Sequence, residues 1–421
     1  MKNISRPLLA LAERYGGDLE LAEERMANSS VHIICGEAIR NSYHLQVALL
    51  TSVNISKRIF LGGIKVELPE KIINLTPHQG KFLNQMIKSH LALSLDHKAN
   101  YTIYIGMEPE TENSCEILCN NWQGGIRVHN EPIISLATSQ GKLPFGAIAS
   151  AGIACFKAFD KVFEMTNLPF HENAGISLWD YTYTKEWHNT IHEGSEHLER
   201  TIYEFWFVGL GHLGQAYLWL LSFLPFENAH LIKILLQDHD MIDGSNWGSQ
   251  LLVSSDQADC SKARICATFL ESIGFTTRVI EKPLEKLDQE MESLKDFKYL
   301  INGLDNVATR RILKPERFKL ILDGATNGAE HFFDSFTMNT IDVNSKRPKD
   351  IWNKEEDPNK ILHPKLFERI EKSGGCGSII NHSISTPFVG ALGASILMSE
   401  LFKRVNNISK TSYKTLLMRD I

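Results

Sequence analysis

Apolar residues along this chain come in short, dense runs separated by glycine turns and amphipathic stretches, the rhythm of a parallel α/β fold. Residues Phe205–Val208 and Leu231–Leu236 are two such runs, of strand length and bounded by turn residues, as buried strands are. Between them Gly209-x-Gly211-x-x-Gly214 opens a helical segment, and the second run ends at Asp238-x-Asp240. The pattern predicts strand, glycine turn, helix, and a second strand with a carboxylate at its tip. A similar pattern stands earlier in the chain. SSVHIICGEAIRN (29–41) lies over YEFWFVGLGHLGQ, with Gly36 matching Gly209. There, however, Ala38 and Asn41 replace Gly211 and Gly214, and the next run, RIFLGG (58–63), reads as a strand without an acid at its end.

A longer repeat supports two related halves. PFGAIASAGIACFKAFDKVF begins at Pro144 and PFVGALGASILMSELFKRV at Pro387, and they align without gaps. Both read as helices apolar nearly all round, which marks burial on more than one side. The expected architecture is α/β: two Rossmann-like domains forming a pseudo-dimer within one chain. Residues 1–170 are the half without a nucleotide site, 171–200 a polar linker ending HNTIHEGSEHLER, and 201–421 the half that keeps one. A crossover loop is expected over 340–386, with a charged segment (343–365) and the glycine-flanked Cys376 in SGGCGS.

Composition narrows the class. At 421 residues the chain exceeds one ordinary domain, and 43% hydrophobic with 22% charged residues describes a globular protein. A net charge of −6 argues against a nucleic-acid or anionic-membrane partner. No apolar stretch reaches the roughly 20 residues of a membrane span, and the N-terminus lacks a signal-peptide pattern. A cytoplasmic location is the expectation. The seven cysteines (35, 115, 119, 155, 260, 266 and 376) contain no C-x-x-C pair, so reduced thiols are expected and no zinc site. Cys115 and Cys119 read as buried thiols, and Cys260 and Cys266 as packing.

The glycine motif alone is shared with dehydrogenases and methyltransferases. The residues beyond it are more specific: Ser245-Asn246, Gln250, Lys262, then Asp305-Asn306-x-x-x-Arg310. In order and spacing this set resembles the ThiF/MoeB/ubiquitin-activating enzyme superfamily, over about residues 200–335 in particular and, through the repeat, most of the chain loosely. A dehydrogenase would have no use for the Asn, the Lys and the second Asp. The resemblance implies ThiF-type domains in which Gly209, Gly211 and Gly214 turn against ATP. It places Asp238 on the ribose with Asp240 supporting the loop, and Asn246, Gln250, Lys262 and Asn306 about the nucleotide. Asp305 would hold Mg²⁺ beside the attacking carboxylate. Taken singly, Lys262 reads as a surface lysine and Asp305 as a helix cap; the set together is what points to chemistry.

One position departs from the family: Ser249 stands where an Arg binds the triphosphate, leaving Arg264 and Arg310 as nearby cations. Ser5-Arg6-Pro7 resembles the motif with which the inactive half of two-domain ubiquitin-activating enzymes reaches the active half's ATP, making Arg6 the candidate trans-domain arginine. Cys376 is the candidate thioester acceptor, or a relic of the family's zinc-binding C-x-x-C. The function implied is ATP-dependent adenylation of the C-terminal carboxylate of a ubiquitin-like or sulfur-carrier-like protein with a glycine-terminated tail, with thioester formation on Cys376 and handover to a conjugating enzyme as further steps. Adenylation of a peptide or small carboxylate, and a non-catalytic nucleotide-binding subunit of a heterodimeric enzyme, stay open. An NAD-dependent dehydrogenase would need an acid–base group that the sequence does not offer. No oligomer is required to complete an ATP site.

Overall fold

The computed structural model describes residues 5–88, 99–166, 172–183, 186–189, 194–284, 294–326, 333–353, 364–372, 384–409 and 411–421. Two helices, α1 (Arg6–Arg14) and α2 (Leu19–Ala27), precede the first sheet. That sheet is built of β1 (Ser30–Cys35), β2 (Gly63–Glu67), β3 (Tyr101–Ile105), β4 (Ser114–Cys119), β5 (Gln123–Val128) and β6 (Ala174–Ser177). Its spatial order is β2-β1-β3-β4-β5-β6, parallel as far as β4 and antiparallel beyond. The helices of this half are α3 (Tyr43–Ile59), α4 (Leu83–Lys88) and α5 (Phe145–Phe163).

The second sheet repeats the plan. Its strands are β7 (Glu204–Val208), β8 (Lys233–Gln237), β9 (Thr276–Ile280), β10 (Tyr299–Asn302), β11 (Leu320–Ala325), β12 (Ser335–Ile341) and β13 (Tyr413–Leu417). They run in the order β13-β12-β11-β10-β7-β8-β9, parallel from β11 to β9 and antiparallel at β12 and β13. Reading from β8 to β13 gives the same sequence of directions as β2 to β6, with β9 added at the edge. The helices are α6 (His212–Leu221), α7 (Lys262–Ser272), α8 (Val307–Arg311), α9 (Pro348–Ile351), α10 (Pro364–Lys372) and α11 (Pro387–Val405). Among the described residues no helix is long and apolar enough to cross a membrane. The fold is α/β with two Rossmann-like units in one chain.

Strand alternation explains how one core serves both units. Phe205 and Phe207 on one face of β7 join the large core that runs through both halves; Trp206 and Val208 on the other face join a smaller one with Leu235, Leu300 and Ile321. The two repeated helices, α5 and α11, are each 19 residues long and pack against each other. Gly152 permits that approach: a Cβ there would lie 2.9 Å from the Phe388 carbonyl oxygen. Phe156 and Phe159 pack around Phe388 across the same contact.

Three expectations are adjusted. RIFLGG does not form a strand: Arg58 and Ile59 end α3, and the next strand is Gly63–Glu67, which carries Glu67 at its end. The helix is buried nearly all round, so its apolar run could not be told from a strand by periodicity. Cys260 is exposed rather than packed, whereas Cys266 is buried. Within 171–200, Ala174–Ser177 pairs with β5 as an edge strand of the first sheet.

Candidate active site

The chain leaves β7 on one side of the second sheet to make β8 and β9, then returns on the other side of β7 to make β10. At such a reversal the loops at the strand C-termini part and leave a crevice. The glycine turn after β7 and the Leu304–Asp305 turn after β10 flank it. Gly209 has φ of +78°, and a Cβ there would lie 2.8 Å from the Leu304 nitrogen, so only glycine fits. A Cβ on Gly214 would overlap the Gly209 carbonyl, which fixes the close approach of α6 to the turn. On Gly211 a Cβ would meet nothing within 4 Å. The three glycines therefore do different work, and Gly211 is the one with open space before it, at the N-terminus of α6.

Asp238, just beyond β8, is buried and accepts the backbone N–H of Leu210 (2.6 Å) and of Asp240 (2.8 Å). Burial raises its pKa, opposed by the Lys262 charge and these two N–H groups. Each carboxylate oxygen has a second lone pair, so the group can brace the turn and still accept a ribose hydroxyl. Lys262, the first residue of α7, reaches Asp240 at 2.8 Å. Asp238, His239 and Asp240 bring three possible metal-ligand atoms within 4.8 Å of one another. Both Asp238 oxygens accept backbone N–H groups and Asp240 Oδ2 accepts from the Lys262 ammonium, which leaves Asp240 Oδ1 near His239 Nε2 at 3.6 Å.

The loop beyond Met241 is knitted by its own side chains. Asp243 accepts from the Ser245 N–H (2.7 Å) and hydroxyl, and its N–H reaches the Asn246 side-chain oxygen at 3.3 Å. Gln250 gives its oxygen to the Gln215 amide at 2.7 Å, and the same amide holds the Leu210 carbonyl at 3.0 Å. Gln250 thus acts on the glycine turn through Gln215. Ser249 is buried. Both nearby arginines have carboxylate partners: Arg264 makes two hydrogen bonds to Glu281 (2.9 and 2.6 Å), and Arg310 is buried against Asp323 at 3.0 Å.

Arg6 enters this site from the other half. A Cβ on Gly248 would meet Ser5 Cβ at 2.6 Å and Pro7 Cδ at 3.2 Å, so the Ser5-Arg6-Pro7 segment lies directly on the 245–249 loop. Burial lowers the Arg6 pKa, while the charges of Asp243 and Asp305 raise it. Asp305 is exposed at the end of its turn. It does not cap α8; Asn306 does, accepting from the N–H groups of Ala308 (2.8 Å) and Thr309 (3.3 Å). The structure therefore brings together Gly209, Gly211, Gly214, Asp238, Asp240, Asn246, Lys262, Asp305 and Arg6. Cys376 lies outside the described residues.

Sequence reasoning passed over several residues. Arg58 on α3 is fully buried and donates to the carbonyls of Trp247 (2.5 Å), Val253 (3.1 Å) and Leu251 (2.8 Å) and to Asn54 (3.1 Å). Burial pushes its guanidinium down to about 9. It is the first half's grip on the loop that carries Asn246 and Ser249. His212, inside the glycine motif, hydrogen-bonds the Thr386 carbonyl through Nε2 at 2.8 Å, and burial pushes its imidazole down to about 4. Its position is plain in the sequence, but its partner lies 174 residues away. A cavity of about 490 Å³ opens elsewhere, at the N-terminal ends of β7 and β8, lined by Lys142, Glu196, Tyr203, Phe226 and Phe402 among others. It contains none of the residues above.

Comparison with known proteins agrees with this layout. Models of the BilD N-terminal domain and the BilD C-terminal domain match residues 30–178 and 203–408, in that order. The bacterial E1-like protein BilD of Collimonas sp. (strain OK412) is 28% identical over 402 residues, 92% of this chain and 85% of that one. A crystal structure of E. coli MccB with succinimide is similar at 10% identity and a TM-score of 0.33, covering 51% of this chain and 63% of its own.

Proposed function

We infer that this chain, of the E1-like superfamily and laid out in two halves as BilD is, adenylates the C-terminal carboxylate of a small ubiquitin-like or sulfur-carrier-like protein. The observation that carries the reading is Arg6: its segment of the first half lies on the 245–249 loop of the second, where the charges of Asp243 and Asp305 act on its guanidinium, and Gly211 of the glycine turn has open space before it. Adenylation joins a substrate carboxylate oxygen to the α-phosphorus of ATP and breaks the bond to the β-phosphate oxygen, releasing pyrophosphate. Two anions must be brought together, so the site needs cations and oriented N–H groups more than a general base. Arg6 and Lys262 would supply the cations, the N-terminus of α6 the N–H groups, and Asp238 the ribose contact. Lys262 must leave Asp240 to do so. Asp305, exposed and beside the crevice, fits a Mg²⁺ ligand, and the ion would neutralise phosphate charge as it develops.

Transfer to Cys376 is part of the same proposal: the thiolate sulfur bonds the acyl carbon of the adenylate, the bond from that carbon to the phosphate oxygen breaks, and AMP leaves, giving a thioester. A reading without catalysis, in which the chain only binds nucleotide, draws on Ser249 and on the engagement of Arg264 and Arg310 elsewhere. Exchange of labelled pyrophosphate into ATP separates the two. Adenylation predicts Mg²⁺-dependent exchange in the presence of the partner, reduced about 100-fold or more in Asp305→Ala. Full exchange in that variant overturns the assignment. A thiol-sensitive adduct that vanishes in Cys376→Ala while exchange persists would support the second step, and an adduct that persists would place the acceptor elsewhere.

A further inference from the structure

Beneath the Asp305 turn lies a buried polar network that no step of adenylation described above uses. Asp323, on β11, is fully buried. It pairs with Arg310 Nε at 3.0 Å, accepts the Asn302 amide at 2.6 Å and accepts the Asn339 amide at 3.3 Å. The same Arg310 donates through Nη2 to the Leu304 carbonyl and, at 3.0 Å, to the Gly324 carbonyl. The same Asn302 offers its side-chain oxygen to the Leu304 N–H at 3.4 Å. Both polar groups of the Leu304 backbone are thus held by side chains that meet on one carboxylate.

Leu304 is also the residue against which Gly209 turns, and it immediately precedes Asp305. Its backbone is the common point of the glycine turn and the Asp305 turn. A buried carboxylate is retained when it is paired and hydrogen-bonded: Asp323 has the Arg310 ion pair and two amide donors, while the Arg310 Nε makes no aligned hydrogen bond of its own and the arginine is held through Nη2.

We propose that Asp323 is a positioning residue for adenylation: through Arg310 and Asn302 it fixes the Leu304 backbone, and with it sets the Asp305 carboxylate against the glycine turn. Arg310 is accordingly not a phosphate ligand. The inference rests on Asp305 holding the metal of an ATP site. Asp323 touches no reacting atom; it acts through Asp305.

Two folded variants of the full chain test it, Asp323→Asn and, in case loss of the buried charge prevents folding, Asn302→Ser. Binding of Mn²⁺ in the presence of ATP, read by electron paramagnetic resonance, should weaken at least tenfold in either. ATP binding without metal should change by less than twofold. In pyrophosphate exchange the metal concentration for half-maximal rate should rise in step, and neither substitution should weaken metal binding further in an Asp305→Ala background. Unchanged Mn²⁺ binding in a variant of lowered melting temperature would make the network merely structural and overturn the proposal. A wild-type chain that binds Mn²⁺ with ATP yet never exchanges pyrophosphate would overturn the adenylation reading instead, and leave this test of the metal site intact.

Discussion

The two glycine turns, one at the end of β1 and one at the end of β7, occupy equivalent places in equivalent sheets and end differently. After β1, Gly36 has an ordinary φ of −79° and leads into the short 3-10 turn Glu37–Arg40. The opposing turn closes on it: a Cβ on Gly106 would meet Leu45 Cδ1 at 2.9 Å and Ala38 Cβ at 3.1 Å. After β7, Gly209 takes φ of +78° and Gly211, the counterpart of Ala38, faces open space. The same topology thus yields a filled crevice in one half and an open one in the other, decided by a few side chains at the turn. The first half keeps a use as a donor of parts. It lends Arg6 to the crevice and Arg58 and Asn54 to the loop beside it; Asn54 also donates to the Leu251 carbonyl at 3.0 Å.

This division of labour can be broken in several ways, the largest effect first. Arg58→Met would leave the Trp247 and Val253 carbonyls and the Asn54 oxygen without this donor in a buried setting, and the Leu251 carbonyl with Asn54 in place of two donors. A loss of about 3–5 kcal/mol is expected in denaturant unfolding, since buried acceptors stripped of a charged donor are costly. If stability held, the first half's grip on the second would lie elsewhere.

Next, Gly209→Ala and Gly36→Ala form a matched pair. Each methyl would crowd a facing backbone, at 2.8 Å from the Leu304 nitrogen and 2.5 Å from the Gly106 oxygen, and only Gly209 also requires a left-handed backbone, worth about 1–2 kcal/mol. Both should lower the melting temperature. Only Gly209→Ala should also weaken ATP binding by the folded fraction, because only that turn borders an open crevice. Equal loss of ATP affinity in both would erase the distinction between the halves.

Arg6→Ala should slow adenylation by about 1.5–3 kcal/mol in the rate step, the range for a charge-assisted phosphate contact, with melting temperature nearly unchanged. Unaltered turnover would remove the first half from the chemistry.

The smallest effect concerns pH. His212 has its folded pKa depressed to about 4 by burial, against about 6.5 in an unfolded chain. Between those values the unfolded chain binds a proton the native state refuses, so stability is full above about 6.5 and declines as pH falls toward about 4. In His212→Gln the melting temperature should fall less steeply across that window; an identical slope would mean the imidazole is already charged when folded.

How much of this the residues announce depends on how local the cause is. The strand–turn–helix after Phe205, the acid at Asp238 and the repeated helices at Pro144 and Pro387 are short-range patterns, and they are legible. RIFLGG reads as a strand because α3 is buried nearly all round and gives no helical stripe. Arg58 reaches carbonyls 189 to 195 positions away, and Arg310 reads as a candidate phosphate ligand because nothing local signals Asp323 as its partner. Long-range partners of buried charges have no signature in spacing.

The most direct test is isothermal titration of ATP into the full chain and into Gly211→Ala. Because a Cβ at Gly211 meets no protein atom within 4 Å, this methyl should leave the melting temperature within about 2 °C, so it can be felt only by a ligand that approaches the turn. One ATP per chain is expected, with affinity at least about tenfold weaker in the variant. Two sites per chain, or one whose affinity ignores Gly211→Ala, would contradict the claim that the chain holds one nucleotide, at the glycine turn of the second half and not at that of the first.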